Sequence, residues 1–169
     1  MRLPTLVLSC LLAAAAVGCA PSGSAELEAN KDLVQRFTDA VNAANWDSLD
    51  EIMTDDFARH SEATAGPPVE SREAFIQLQE SFLVSFPDQR VTTEKLIAEG
   101  DLVAGLATYS ATHTGPMGDV PATGRSLNST FLAIFRIESG RIAELWVEWD
   151  NVAMLTQLGL FPPPPPPSG

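Results

Sequence analysis

Residues 127–149 read LNSTFLAIFRIESGRIAELWVEW and carry the clearest structural signal in the chain. Two segments rich in β-branched and aromatic residues, 127–137 and 141–149, flank the turn sequence Glu138-Ser139-Gly140. Glycine accepts the backbone conformations that tight turns need, and runs of this composition between turn signals are typical of strands. These residues are therefore predicted to form an antiparallel hairpin.

Alternate residues of this hairpin should point to opposite faces of a sheet. One face is apolar and is predicted to lie against helices: Leu127, Phe131, Ala133, Phe135, Ile137, Ala143, Leu145, Val147 and Trp149. The other face mixes charged and apolar residues, as a solvent-facing or subunit-facing surface does: Asn128, Thr130, Leu132, Ile134, Arg136, Ile142, Glu144, Trp146, Glu148 and Asp150. The pattern predicts a sheet that helices cover on one side.

A second hairpin precedes the first one along the chain. Residues 89–98 and 102–114 flank Glu99-Gly100-Asp101, another tight turn signal. The two hairpins together predict four long antiparallel strands in the second half of the chain.

The first half of the chain shows helical periodicity instead. Apolar residues at helical spacing predict a helix over 26–44 and another over 72–86, the latter beginning after Ser71. A short helix is predicted over Leu49, Ile52 and Met53, capped by Asp47 or Ser48, with a brief extended piece over 56–60. Three helices followed by four antiparallel strands predict an α+β fold, in which the helices cover one face of a curved sheet.

Composition limits the class of partner. The 169 residues are 45% hydrophobic, which provides enough apolar material for one core. Ten basic against 22 acidic residues give a formal charge of −12. Such a chain would be repelled by a phosphate backbone, so nucleic-acid binding is not expected.

The amino-terminal residues resemble a bacterial lipoprotein signal. Residues 3–18 are almost entirely apolar or small and follow Arg2. As a helix they would span about 24 Å, short of the ~30 Å hydrocarbon core, so a secretory signal is favoured over a membrane span. The sequence Ala16-Val17-Gly18-Cys19 is similar to a lipobox, which predicts lipidation of Cys19 and anchoring to the cell membrane or outer membrane. Ordinary cleavage that leaves an incidental cysteine is the alternative.

The predicted organisation therefore has four parts. They are a signal peptide over 1–18, a tether with the lipidated cysteine over 19–25, a globular domain over 26–161 and a polyproline tail over 162–169. Cys10 and Cys19 are the only cysteines, so no disulfide or cysteine nucleophile is expected in the mature domain.

Seven short motifs, taken in order, resemble one family. They are Phe86-Pro87-Asp88, Ile97-Ala98-Glu99-Gly100-Asp101, Ala111-Thr112-His113-Thr114-Gly115, Pro121-Ala122-Thr123-Gly124-Arg125, Phe135-Arg136, Gly140-Arg141-Ile142 and Gln157-Leu158-Gly159. Together they are similar to the SnoaL-like polyketide cyclase (ester cyclase) family of the nuclear-transport-factor-2-like superfamily. The resemblance implies a cone-shaped α+β fold with an apolar pocket, and dimers through the outer sheet face.

The resemblance also implies where catalytic groups would lie. Cyclases of this family use a carboxylate on the last strand with a polar partner on the neighbouring strand. This chain has Leu145 and Val147 on the last strand and Ala133 on its neighbour, so the catalytic pair is predicted to be absent.

Candidate site residues each have a second interpretation. His60 is a catalytic candidate or a rim histidine with a structural hydrogen bond, and His113 is a catalytic candidate or a support for a turn. Asp150 is a catalytic candidate or the N-cap of a last short helix. The predicted ligand-binding residues, for which core packing is the alternative role, are Trp46, Tyr109, Phe131, Leu145, Val147 and Trp149.

The favoured function is a membrane-anchored, extracytoplasmic domain that holds a small hydrophobic molecule. No cofactor is expected, and no metal is expected because the two histidines have no ligand-like spacing. The alternative is a cyclase or isomerase-like enzyme that transfers protons on a carbonyl substrate. A third possibility is an interaction module that forms a homodimer through its outer sheet face.

Overall fold

A computed structural model describes residues 22–64 and 66–161. Helix α1 (Ser22–Ala43) is followed by a 3₁₀ turn (Trp46–Ser48), the one-turn helix α2 (Leu49–Ile52), strand β1 (Met53–His60) and helix α3 (Arg72–Ser85). Strands β2 (Arg90–Glu99), β3 (Leu102–Thr112), β4 (Ser126–Glu138) and β5 (Arg141–Trp149) come next, and helix α4 (Asn151–Leu158) ends the domain. The α+β class predicted from the sequence is confirmed.

The sheet has five strands in the order β1-β5-β4-β3-β2. Strands β2 to β5 pair antiparallel with their chain neighbours, as the two hairpin signals predict. Strand β1 instead lies at the edge and pairs parallel with β5. This strand was predicted from the sequence only as a brief extended piece over 56–60, because its partner β5 lies 86–89 residues further along the chain and local pattern carries no record of such pairing.

The helices depart from prediction at their ends. Helix α1 begins at Ser22, earlier than the predicted residue 26, and Met53 starts β1 instead of ending α2. Helix α3 is capped as predicted, with the Ser71 hydroxyl accepting the Ala74 N–H at 3.1 Å. The predicted order of three helices followed by four strands also differs from the structure. Strand β1 precedes α3, and a fourth helix, α4, follows the sheet.

The predicted inner face of the hairpin is buried, with one correction at its turn end. Ile137 pairs with Ile142 and Arg136 pairs with Glu144, which leaves Ala143 as an extra residue. This β-bulge turns Ile142 inward, where it is fully buried, although strict alternation placed it on the outer face.

Aromatic side chains join the helices to the sheet. The Phe75 ring of α3 lies 5.5 Å from the Phe37 ring of α1 and 5.4 Å from the Phe57 ring of β1. Phe37 also lies 5.6 Å from Phe135 on β4. Each buried aromatic side chain stabilises the fold by about 1.5–3 kcal/mol, so this group anchors both helices on the inner sheet face.

Polar contacts set the positions of the helix ends. The Asn42 side chain exchanges two hydrogen bonds of 2.8 Å with the backbone of Val91, which ties α1 to β2. Arg72, at the start of α3, pairs with Asp55 at 2.7 Å and Asp50 at 3.0 Å. These contacts tie α1 to β2, and α3 to α2 and β1.

The predicted signal peptide, Cys19 and the polyproline tail lie outside the described residues. Within the described part of the chain, no helix is long and apolar enough to cross a membrane.

Candidate ligand cavity

A cavity of about 420 Å³ lies between the inner sheet face and helices α1, α3 and α4. Its walls are mainly apolar side chains. They include Val34, Phe37 and Val41 of α1, Phe75 and Phe82 of α3, Ala107 of β3, Phe131, Ala133 and Phe135 of β4, Leu145, Val147 and Trp149 of β5, and Met154, Leu155 and Leu158 of α4. The small residues Gly105, Ala107 and Ala133 on the central strands leave the space that the larger side chains surround.

Most polar side chains in the wall have protein partners. Asn42 is held by Val91, the Thr38 hydroxyl donates to the Val34 carbonyl at 3.1 Å, and the Ser85 hydroxyl donates to the Pro116 carbonyl at 2.7 Å. Arg59 and Tyr109 are the only ionisable side chains among the described lining residues. The wall is therefore mainly apolar, with a minority of polar side chains that could orient a ligand.

Tyr109 and Gln89 form one of these polar groups. The Tyr109 hydroxyl donates to Gln89 Oε1 at 2.9 Å. Gln89 Nε2 is buried and has no hydrogen-bond partner among the described residues. Burial raises the pKa of Tyr109, with the nearby charge of Asp88 acting in the same direction, so the phenol stays protonated near neutral pH. The pair offers a donor to a ligand oxygen but no base.

Arg59 forms the second polar group. It follows Phe57 on the inward face of β1, and its backbone N–H donates to the Val69 carbonyl at 2.9 Å. Its guanidinium donates to the Thr64 hydroxyl at 2.9 Å and lies 5.5 Å from the centre of the Trp149 ring. Burial lowers the pKa of Arg59, which the negative charge of Glu148 partly opposes; arginine nevertheless remains cationic.

Contacts from the end of β5 hold the segment 61–64 beside Arg59. The Glu148 carboxylate accepts the N–H groups of Glu62 at 2.7 Å and Ala63 at 3.2 Å. Asn151 donates to the Ala63 carbonyl at 2.6 Å and accepts the Trp149 indole N–H at 2.8 Å. The Thr64 hydroxyl and the Trp149 ring are thus both positioned from β5 and the start of α4.

The structure brings five of the six predicted ligand-binding residues together in this wall: Tyr109, Phe131, Leu145, Val147 and Trp149. Trp46 is not among the lining residues. It begins the 3₁₀ turn and packs, partly buried, against the main core.

The three catalytic candidates do not line the cavity. His60 lies on the outer sheet face, where its ring stacks on Trp146 at 4.9 Å and its Nε2 lies 2.9 Å from the Glu144 carboxylate. Arg136 also pairs with Glu144 at 2.7 Å. Hydrogen bonds from Arg136 and His60 lower the pKa of Glu144, so this cluster is a hydrogen-bonded network on the outer sheet face.

His113 and Asp150 have structural contacts. His113 is fully buried, and its Nδ1 accepts the Thr123 N–H at 3.2 Å. This contact helps to hold the loop after β3, and it leaves Nε2 buried without a partner among the described residues. The Asp150 carboxylate accepts the Ala153 N–H at 2.9 Å and so caps α4. No group of three or more His, Cys, Asp or Glu residues within 22–64 and 66–161 could hold a metal ion.

Sequence reasoning missed Arg59 and Gln89 as site residues. Arg59 could have been found from its spacing of two from Phe57, once the segment was recognised as a strand. Gln89 gave no signal, since a glutamine after Pro87-Asp88 is ordinary in a turn.

Comparison with known families and structures agrees with this architecture. The model of the SnoaL-like polyketide cyclase family matches residues 31–158, which confirms the resemblance seen in the sequence. A comparison with curated protein sequences found no match.

Solved structures with similar folds include IdmH from Streptomyces antibioticus, a proposed polyketide cyclase. It is 32% identical with a TM-score of 0.69, and the match covers 77% of this chain and 98% of that chain. AclR from Streptomyces galilaeus, a proposed hydroxylase, is 27% identical with a TM-score of 0.70 over 82% and 86% of the two chains. A proposed SnoaL-like polyketide cyclase from Jannaschia sp. CCS1 is 25% identical with a TM-score of 0.72 over 85% and 97%.

Proposed function

This chain belongs to the SnoaL-like polyketide cyclase family, and from that premise we propose that it is a lipid-anchored, extracytoplasmic member that binds a small hydrophobic molecule without the family's cyclase acid/base pair. The membrane anchor rests on the lipobox-like sequence that ends at Cys19. The binding function rests on the cavity.

One observation supports the proposal that the protein binds its ligand without acid/base catalysis. Among the described residues that line the cavity, there is no aspartate, glutamate, histidine or lysine. Abstraction of a proton next to a carbonyl needs a base whose pKa lies near the working pH. Arg59 stays cationic and Tyr109 stays neutral, so neither side chain supplies such a base. An apolar wall with a few polar groups is instead typical of a ligand-binding site.

Filling the cavity tests this function. Ala107→Phe places a large side chain in the cavity wall, whereas Ala104→Phe places the same side chain on the exposed outer face of the same strand. We expect polycyclic and fatty-chain probes to bind the parent protein and the Ala104→Phe variant, and to bind Ala107→Phe at least about tenfold more weakly. Binding that survives Ala107→Phe in a folded protein, as judged by circular dichroism, would contradict the proposal.

An enzyme is the second candidate, favoured by the family membership of the chain. His60, His113 and Asp150 do not line the cavity, so proton transfer there would have to use the Tyr109 hydroxyl, which Gln89 positions by a hydrogen bond. A cyclase or isomerase activity that is abolished by Tyr109→Phe and is unaffected by alanine at His60 would favour this candidate.

The anchor is tested separately. Labelling with a radioactive fatty acid, followed by membrane fractionation, should show label and membrane association in the parent chain and neither in Cys19→Ser. A labelled Cys19→Ser chain would show that another residue carries the lipid.

A further inference from the structure

We propose that Arg59 makes the cavity selective for a lipophilic carboxylic acid, whose carboxylate pairs with the guanidinium while its apolar body fills the cavity. This inference rests on the proposed binding function and specifies its ligand class.

The guanidinium of Arg59 has spare binding capacity. It carries five N–H donors, and its only hydrogen bond among the described residues goes to the Thr64 hydroxyl at 2.9 Å. The ion pairs within the described ranges involve Lys31, His60, Arg72 and Arg136, and none of them includes Arg59. Most of the guanidinium donors are therefore free to pair with a ligand.

Keeping this charge beside an apolar cavity opposes folding. A cation that loses water without gaining an anion raises the free energy of the folded state. The charge of Glu148 offsets this cost only in part, since both oxygens of that carboxylate accept N–H groups from the segment 61–64 and form no ion pair with Arg59. A bound carboxylate would restore the missing interaction, with the bidentate geometry that arginine and carboxylate favour.

The surroundings hold the guanidinium in place before a ligand arrives. The Trp149 ring packs 5.5 Å from it, and the indole N–H is itself held by Asn151 at 2.8 Å. The Thr64 hydroxyl, in the segment 61–64, accepts a hydrogen bond from the guanidinium. A preorganised cation loses little conformational entropy on binding, which favours recognition of a rigid planar anion.

The overall charge of the chain makes Arg59 necessary for such a preference. A formal charge of −12 repels anions in general, so an acid would be disfavoured without a local cation. The remaining described lining residues include no other cation. Apolar walls then supply the affinity for the body of the ligand, while Arg59 selects its charged end.

The experiment compares anthracene-2-carboxylate with its uncharged methyl ester. The full chain is reconstituted in phosphatidylcholine nanodiscs, and both affinities are measured by titration calorimetry against empty nanodiscs. Arg59→Met should lower the ratio of acid affinity to ester affinity by about tenfold or more, since a charged hydrogen-bonded pair is lost. Arg141→Met removes an exposed arginine at the start of β5 and controls for the change in net charge.

The outcomes separate the two proposals. A ratio that falls in Arg59→Met, is retained in Arg141→Met and is only partly retained in Arg59→Lys supports the role of the Arg59 guanidinium, because lysine keeps the charge but not the bidentate geometry. Ester binding with a ratio that Arg59→Met leaves unchanged would overturn the carboxylate preference while the hydrophobic binding function stands. Failure of both probes to bind the parent chain would contradict the binding function, and the carboxylate preference with it.

Discussion

The hydroxyl of Tyr109 donates a hydrogen bond to Gln89 Oε1 at 2.9 Å inside the wall of the cavity. This contact joins β3 to the residue just before β2, and it satisfies the phenol in an otherwise apolar environment. Burial of the ring also raises the pKa of Tyr109. The ionisation of this side chain is therefore a direct probe of the cavity.

Tyr109 is the only tyrosine in the chain, so tyrosinate absorbance reports on it alone. We expect no tyrosinate signal near pH 10, where an exposed tyrosine titrates. The unfolded chain releases this proton above about pH 10 while the folded chain retains it, so stability should fall as pH rises beyond that value. The alkaline loss should be smaller in Tyr109→Phe. A phenol that titrates near pH 10 in the folded protein would contradict its burial.

Gly115 is predicted to be the least replaceable glycine of the described chain. A Cβ at this position would lie 1.8 Å from the Val84 carbonyl oxygen, because Gly115 passes directly over the end of α3. Gly115→Ala should lower the free energy of unfolding by about 2 kcal/mol or more, as measured by urea denaturation. Gly23→Ala, where a Cβ meets nothing within 4 Å, is the matched control and should not destabilise the protein. Equal stability of both variants would show that the loop moves freely away from α3.

Asp88 should make the protein sensitive to acid. Its carboxylate accepts the Thr112 N–H at 2.7 Å, and hydrogen bonds from Thr112 lower the pKa of Asp88. A lowered pKa adds stability that is present above the ordinary aspartate value of about 3.9 and is lost as pH falls through the folded value. Asp88→Asn should therefore flatten the fall in stability below about pH 4. Asp119→Asn, at another exposed aspartate, is the matched control for the change in net charge.

The outer sheet face is expected to form a homodimer interface. Leu132 and Ile97 are 64% and 63% exposed, and Ile134 and Trp146 pair in register with 44% and 38% exposure. An apolar surface of this kind on a sheet is typical of an interaction site. Ile134→Glu should weaken self-association by about tenfold or more in sedimentation velocity, because burying an unpaired charge is unfavourable. Val84→Glu, at an exposed position of α3, should leave association unchanged. A parent chain that is monomeric at micromolar concentration would contradict this prediction.

Local patterns were sufficient for much of the fold. Both hairpins follow from their turn residues, and the Ser71 cap and Asp150 cap lie where the sequence places them. The alternation of Phe131, Ala133 and Phe135 correctly identified the inner sheet face, and through it most of the aromatic and aliphatic cavity wall. These features depend on residues that are close in the chain, so they can be predicted from composition and spacing.

Strand β1 is a feature that the local sequence pattern predicted only in part. Its parallel pairing with β5 brings His60 opposite Trp146, which places the imidazole outside and the neighbouring Arg59 inside. A shift of one residue in that register would exchange the two side chains. Their environments follow from a pairing between distant segments that includes a bulge, so the tertiary structure was needed to assign the cation to the cavity and the histidine to the surface. The two hairpins, the main helical segments and the inner face of β4, by contrast, were predicted from the sequence alone, because turn residues and periodicity are properties of neighbouring residues.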